Sequence, residues 1–180
     1  MTGKTHVAIA TASVVPFIPK NPLELLGIIP FVLLGALLPD IDADYSLIRS
    51  KRYLHSFIIL GLVIVLTTKS KGPIIAILVM LFLIFTLKRT EHRTIMHSLL
   101  GLIIFTVCMI FISKKFTSYF ALGYITHLLA DSFTLNGIPL FYPKLQAIGI
   151  KKIKTGSKQE MTIKYVCLFI VILKIITAYK

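Results

Sequence analysis

Seven apolar runs, at about 5–18, 23–38, 54–68, 73–87, 95–112, 116–130 and 162–178, take up most of this 180-residue chain. Leu, Ile, Val and Phe dominate them. Several are apolar on every face, the pattern of helices that lie in lipid or deep inside a bundle. Most runs hold 14–18 residues, or about 21–27 Å of helix at 1.5 Å per residue. That falls short of a hydrocarbon core of roughly 30 Å. The shortfall implies helices lengthened by polar residues at one end, or a bundle that does not span cleanly. The stretches around 54–87 and 95–112 are the ones most expected in the membrane.

Composition supports the same class. The chain is 56% hydrophobic and 15% charged, against about 45–50% and 25% in soluble domains. An ordinary soluble domain and a disordered chain are both disfavoured. Twenty Lys and Arg against seven acids give a net charge of +13. In so apolar a chain, lipid headgroups and positive loops explain that excess better than nucleic acid. Membrane lipids are therefore expected partners and nucleic acid is not. Cys108 and Cys167 lie inside apolar runs without CxxC spacing, which argues against disulfides and thiolate metal sites. Lys4 and the run after it loosely resemble a signal peptide, but Pro16 and Pro19 break the run, so we expect it to be retained. The expected fold is all-α: one membrane-embedded helical domain over 1–180, of about seven apolar segments with a polar end.

The turns sort the ends of those segments. Tight connections at 69–72, 113–115 and 16–22 reverse the chain between antiparallel neighbours. With alternating directions, His6, His55, His92, His97 and His127 all fall on or beside one end. Six of the seven acids join them: Asp40, Asp42, Asp44, Glu91, Asp131 and Glu160. Loop length explains part of this gathering, but not His127 and Asp131 within a helical segment. Ionisable groups at that depth are costly and usually functional.

His127 and Asp131 are four apart, so one helical face carries both. They read as metal ligands or as a hydrogen-bonded pair. Asp40, Asp42 and Asp44 alternate after a helix that Pro39 helps to end. An EF-hand fails here, because its glycine would fall on Tyr45 and its last glutamate on Lys51. Asp40 and Asp42, nearest the apolar run, are the better ligand candidates. His92 and His97 are five apart and cannot share a face of one regular helix, so one must sit in the turn that enters it. Arg93 can clamp a phosphate or carboxylate. His6 follows Gly3-Lys4-Thr5, too little for a Walker loop, and is as readily a core histidine as a ligand. Glu160 is a further ligand or an N-terminal helix charge. Imidazoles and carboxylates without thiolates suit zinc, manganese or iron at a catalytic site, and more than four candidates point to two or three ions.

Four blocks then look familiar together: Gly3-Lys4-Thr5-His6, Leu38-Pro39-Asp40-Ile41-Asp42, His92-Arg93-Thr94-Ile95-Met96-His97-Ser98 and His127-Leu128-Leu129-Ala130-Asp131. With 136–143 and 155–157 close behind, the chain resembles a microbial family of inner-membrane metal-dependent hydrolases, also labelled LexA-binding. That family is thought to be distantly similar to zinc-dependent phospholipase C and P1-type nucleases. The resemblance implies His6, Asp40, His97, His127 and Asp131 as ligands, with Asp42 and His92 as ligands or proton-handling groups. Thr94 stands where the family often has glycine.

The expected function is a membrane-bound, metal-dependent hydrolase of a phosphoester in a phospholipid-like or other amphiphilic substrate, using metal-activated water. Asp42, His92 and Arg93 are its catalytic candidates, with Arg93 neutralising phosphate. Lys151, Lys152, Lys154 and Lys158 would attract anionic headgroups, or simply form a solvated flank. The alternatives are a divalent-cation transporter, disfavoured because the polar groups gather at one end without a visible repeat, and a non-catalytic anchor for a regulator such as LexA, which only the family label suggests. The expected location is a multi-pass place in the inner membrane. The larger share of Lys and Arg lies at the site end, which puts that end in the cytoplasm.

Overall fold

A computed structural model describes residues 1–42, 47, 59, 61–64, 71–87 and 94–179. Among them the chain is helical, with no strand and only two isolated bridges, Thr134 to Ile153 and Ile138 to Ile148. Helix α1 runs Gly3–Val14 and ends in a 3-10 turn, Val15–Phe17, that contains Pro16. Asn21 then caps α2, Pro22–Leu37, accepting a hydrogen bond from Leu23 N at 2.9 Å, with Pro22 at the first helical position. Both are favoured helix starters. A 3-10 turn, Leu38–Asp42, extends α2 through Pro39. Helix α3 is Lys71–Leu87.

The run at 95–112 is not one helix. Ile95–His97 forms a 3-10 turn, and Ser98 caps α4, Leu99–Ile112, by accepting from Gly101 N at 3.2 Å. His97 therefore lies in the entering turn. Ser113 alone separates α4 from α5, Lys114–Ser132, so the expected three-residue turn is shorter and both lysines are helical. After a non-regular segment at 133–157, Ser157 caps α6, Lys158–Ala178.

Among the described residues two helical stretches are long and apolar enough to cross a bilayer: Pro22–Ile41 and Lys158–Ala178, of 20 and 21 residues. Their rise of about 30 Å matches the hydrocarbon thickness. The expected bundle of about seven apolar segments is thus corrected to one with two candidate spans among the described residues. Helix α3 and helix α4 are apolar but shorter. The run at 54–68 falls mostly outside the described residues.

Packing centres on α2 and α5. Gly35 and Gly123 let their backbones touch: a Cβ added to Gly35 would lie 2.1 Å from the Phe120 carbonyl oxygen, and one on Gly123 2.1 Å from that of Val32. Small residues at a crossing permit such approach in membrane bundles. Helix α1 packs on α2, α5 and α6, and α4 packs on α3 and α5. Leu37, Leu38, Met96, Phe105, Phe120 and Tyr124 fill the core between them. The one buried residue of α6 is Glu160; Val166, Phe169, Ile172 and Ile176 are exposed.

Candidate metal centre

The site grows from the α2·α5 crossing. His127 lies one turn beyond Gly123 on α5, and Ala36 follows Gly35 on α2. Because the backbones touch there, His127 Nδ1 reaches the Ala36 carbonyl oxygen at 2.7 Å. A carbonyl can only accept, so Nδ1 carries the proton and donates it. Nε2 is then left with its lone pair, the ligand tautomer of a metal-binding histidine.

A second device sets His97. The Tyr124 hydroxyl donates to the Met96 carbonyl oxygen at 2.6 Å, and Ser98 Oγ donates to that of Ile95 at 2.6 Å. These bonds pin the 3-10 turn over the start of α4 and turn His97 inward. Asp40 comes from the 3-10 extension of α2, and Asp131 from α5 one turn beyond His127.

The four side chains converge. His97 Nε2 lies 3.3 Å from His127 Nε2 and 3.3 Å from Asp40 Oδ1. His127 Nε2 is 3.6 Å from Asp40 Oδ1 and 3.9 Å from Asp131 Oδ2, and His97 Nε2 is 3.7 Å from the latter. One ligand atom from each residue lies within 4.8 Å of all the others. His97, His127 and Asp131 are fully or almost fully buried, and Asp40 is nearly so. The set can hold a metal ion. Donors bound at 2.0–2.2 Å in a tetrahedron sit roughly 3.3–3.6 Å apart, close to the separations seen here. A cation would also reconcile two carboxylates packed beside imidazole lone pairs.

His6, on α1, stacks on His127 with ring centroids 3.8 Å apart and planes 15° from parallel. Its Nε2 is 3.2 Å from Asp131 Oδ1. The amino group of Met1 contacts the same Asp131 oxygen. Burial pushes the His127 imidazole down to about 3, with like charge on His6 adding to it and Asp40 and Asp131 opposing. Burial alone would raise Asp131, but the hydrogen bond and charge of His6, then His127 and the amino terminus, hold its carboxyl well below the usual range.

The structure thus brings together His6, Asp40, His97, His127 and Asp131 from four parts of the chain. Glu160 is not in that group. Its Oε1 accepts from Thr2 N, Thr2 Oγ1 and Thr5 Oγ1, and its Oε2 from Gly156 N, at 2.6–2.8 Å. It ties the start of α6 to the start of α1 instead. The side chain of Asp42, and His55, His92 and Arg93 altogether, lie outside the described residues. Sequence reasoning missed Tyr124 and the Ala36 carbonyl. Tyr124 was findable, three residues before His127 on the same helical face; a backbone carbonyl leaves no side-chain signal.

Fold and site together define a helical membrane protein with a buried His–Asp cluster. The chain belongs to the YdjM inner membrane protein family, which it matches over residues 1–180. It is also 30% identical over 166 residues to "Uncharacterized protein YvsG" of Bacillus subtilis (strain 168), covering 91% of this chain and 87% of that protein. No solved structure matches it.

Proposed function

We propose that this protein is a membrane-bound metal-dependent hydrolase acting on a phosphoester of an amphiphilic, phospholipid-like substrate, with its site end toward the cytoplasm. One observation carries the reading: two imidazoles and two carboxylates, drawn from three elements, bring their donor atoms together at one buried point. A structural histidine needs no such company, and thiolates are missing from the set, as in catalytic rather than structural zinc sites. A divalent cation bound there, zinc best fitting the donor set, would supply Lewis acidity to activate water and offset charge at phosphorus.

The chain's own groups have separable tasks. The Ala36 carbonyl fixes the His127 tautomer, and Tyr124 holds the turn that presents His97. Asp131 takes contacts from both sides, His6 and the amino terminus on Oδ1, His97 and His127 near Oδ2. His6 lies where it can exchange a proton with Asp131. Asp42, His92 and Arg93 remain the proposed proton-handling and phosphate-neutralising groups. The test combines metal analysis of purified protein with a screen of phosphodiesters and phospholipids. Metal-dependent hydrolysis abolished in His127→Ala and Asp131→Ala, with helicity retained, is the expected result. Full metal content in those variants would defeat the reading.

A further inference from the structure

Beside the cluster, the first turns of α1 and α6 border an open cavity of about 400 Å³. That volume lies within the usual range for small-molecule sites, about 300–1,000 Å³. Its walls are of two kinds. Leu47 and Met161 are apolar, whereas Lys4, Lys164, Thr2 and Glu160 are polar or charged. Glu160 already has four protein donors on its carboxylate, so it needs neither lysine. Among the described residues neither Lys4 nor Lys164 makes an ion pair; Lys164 Nζ lies 4.4 Å from the centroid of the Tyr165 ring. Two lysines from different helices therefore line one cavity, and its described lining residues carry a net positive charge even with Glu160 included.

The cavity also has a place relative to the membrane. Helix α6 is apolar and almost wholly exposed along its length, as a lipid-facing helix must be. Lys164 sits six residues into it, about 9 Å along the axis. A lysine at that depth extends its ammonium toward the headgroup layer while its stem stays among apolar groups. Thr2 and Thr5 lie on the cavity wall, next in sequence to Met1, whose amino group contacts Asp131, and to His6. A cationic rim, an apolar wall and a lipid-facing helix match the junction of a phospholipid's phosphate with its acyl chains.

We propose that this cavity is a headgroup site for an anionic membrane phospholipid, whose phosphate is neutralised by Lys4 and Lys164. The proposal deepens the hydrolase reading, on which it rests for the lipid's role as substrate but not for its binding. Delipidated full-length protein in detergent is titrated with phosphatidylglycerol, phosphatidylcholine or glycerol phosphate, and adducts and zinc content are read by native mass spectrometry. Lys4→Gln/Lys164→Gln is expected to weaken phosphatidylglycerol binding by about tenfold or more, two charge-assisted contacts being lost, with zinc content unchanged. Lys151→Gln/Lys152→Gln, in the exposed loop, should bind as wild type does. Should the double variant misfold, Lys4→Gln alone, at an exposed side chain, must still weaken binding severalfold. Wild-type affinity in the Lys4 variants, equal binding of phosphatidylcholine, or glycerol phosphate binding as tightly as the lipid would overturn the proposal. Phosphatidylglycerol binding with no bound metal ion of any kind in wild type would instead remove the hydrolase reading and leave the lipid site standing.

Discussion

The stretch Pro22–Ile41, α2 with its 3-10 extension, and helix α6 are about equally apolar and nearly equal in length, yet they meet different surroundings. Of the spanning window in α2, 44% is buried inside the protein; in α6 the figure is 6%. Hydrophobicity does not separate them, since lipid tails and protein cores are alike to a leucine. Small residues do. Gly35 and Ala36 let α2 press against Gly123 of α5, while α6 presents bulky Phe169, Ile172 and Ile176 outward. The close crossing also does chemical duty, because it delivers the carbonyl that orients His127. Helix α6 contributes at its polar first turn, through Glu160.

The contrast can be broken first at the cluster. Asp131→Ala should abolish stoichiometric metal binding, measured by metal analysis after gel filtration, whereas Phe169→Leu on α6 should leave it intact. Gly123→Val should come next, because its side chain would collide with the Val32 carbonyl. We expect about 1–3 kcal/mol of lost stability by thermal or denaturant unfolding in micelles, against about 0.5 kcal/mol or less for Phe169→Leu. Equal losses in the two helices would remove the distinction drawn here.

A smaller effect is expected at Tyr124. Replacing it with Phe deletes the hydroxyl bond to Met96 and leaves the ring in the core. Metal affinity should fall about tenfold, as for other groups that orient ligands, for roughly 1 kcal/mol of stability. An affinity unchanged within twofold would make Tyr124 a packing residue only.

The metal-free protein should also be acid-sensitive. His127 titrates near its ordinary 6.5 when unfolded and at about 3 when folded, so the unfolded chain binds the extra proton first. Its contribution is whole above pH 6.5 and is lost as pH falls toward 3. The lowered Asp131 acts in the same direction, below its ordinary carboxylate range. Unfolding midpoints taken between pH 7.5 and 4 should fall on acidification, and a rise would contradict the buried, neutral assignment.

Much of this could be read in the chain. The runs at 5–18, 23–38, 73–87, 116–130 and 162–178 correspond to helices, because apolar residues without breakers leave little else to form. The i,i+4 pair of His127 and Asp131 and the Pro39 break before Asp40 placed three residues of the cluster. The number of spans was less legible: helices α1 and α4 have apolar sequences but only 12 and 14 residues, and Ser98, as the cap, makes α4 begin late within its run. Glu160 was ambiguous because a carboxylate in a first turn suits both a metal and the helix N–H groups. What decided it was the pair Thr2 and Thr5, far away in sequence. Tertiary partners of that kind have no periodicity to betray them.

Zinc K-edge X-ray absorption on the metal-loaded, full-length protein tests the central claim most directly. The account predicts a shell of nitrogen and oxygen only, at about 2.0–2.2 Å, with the outer-shell scattering of imidazole rings. That scattering should be lost in His97→Ala/His127→Ala. Sulfur near 2.3 Å, or a shell without imidazole in the wild-type protein, would contradict it.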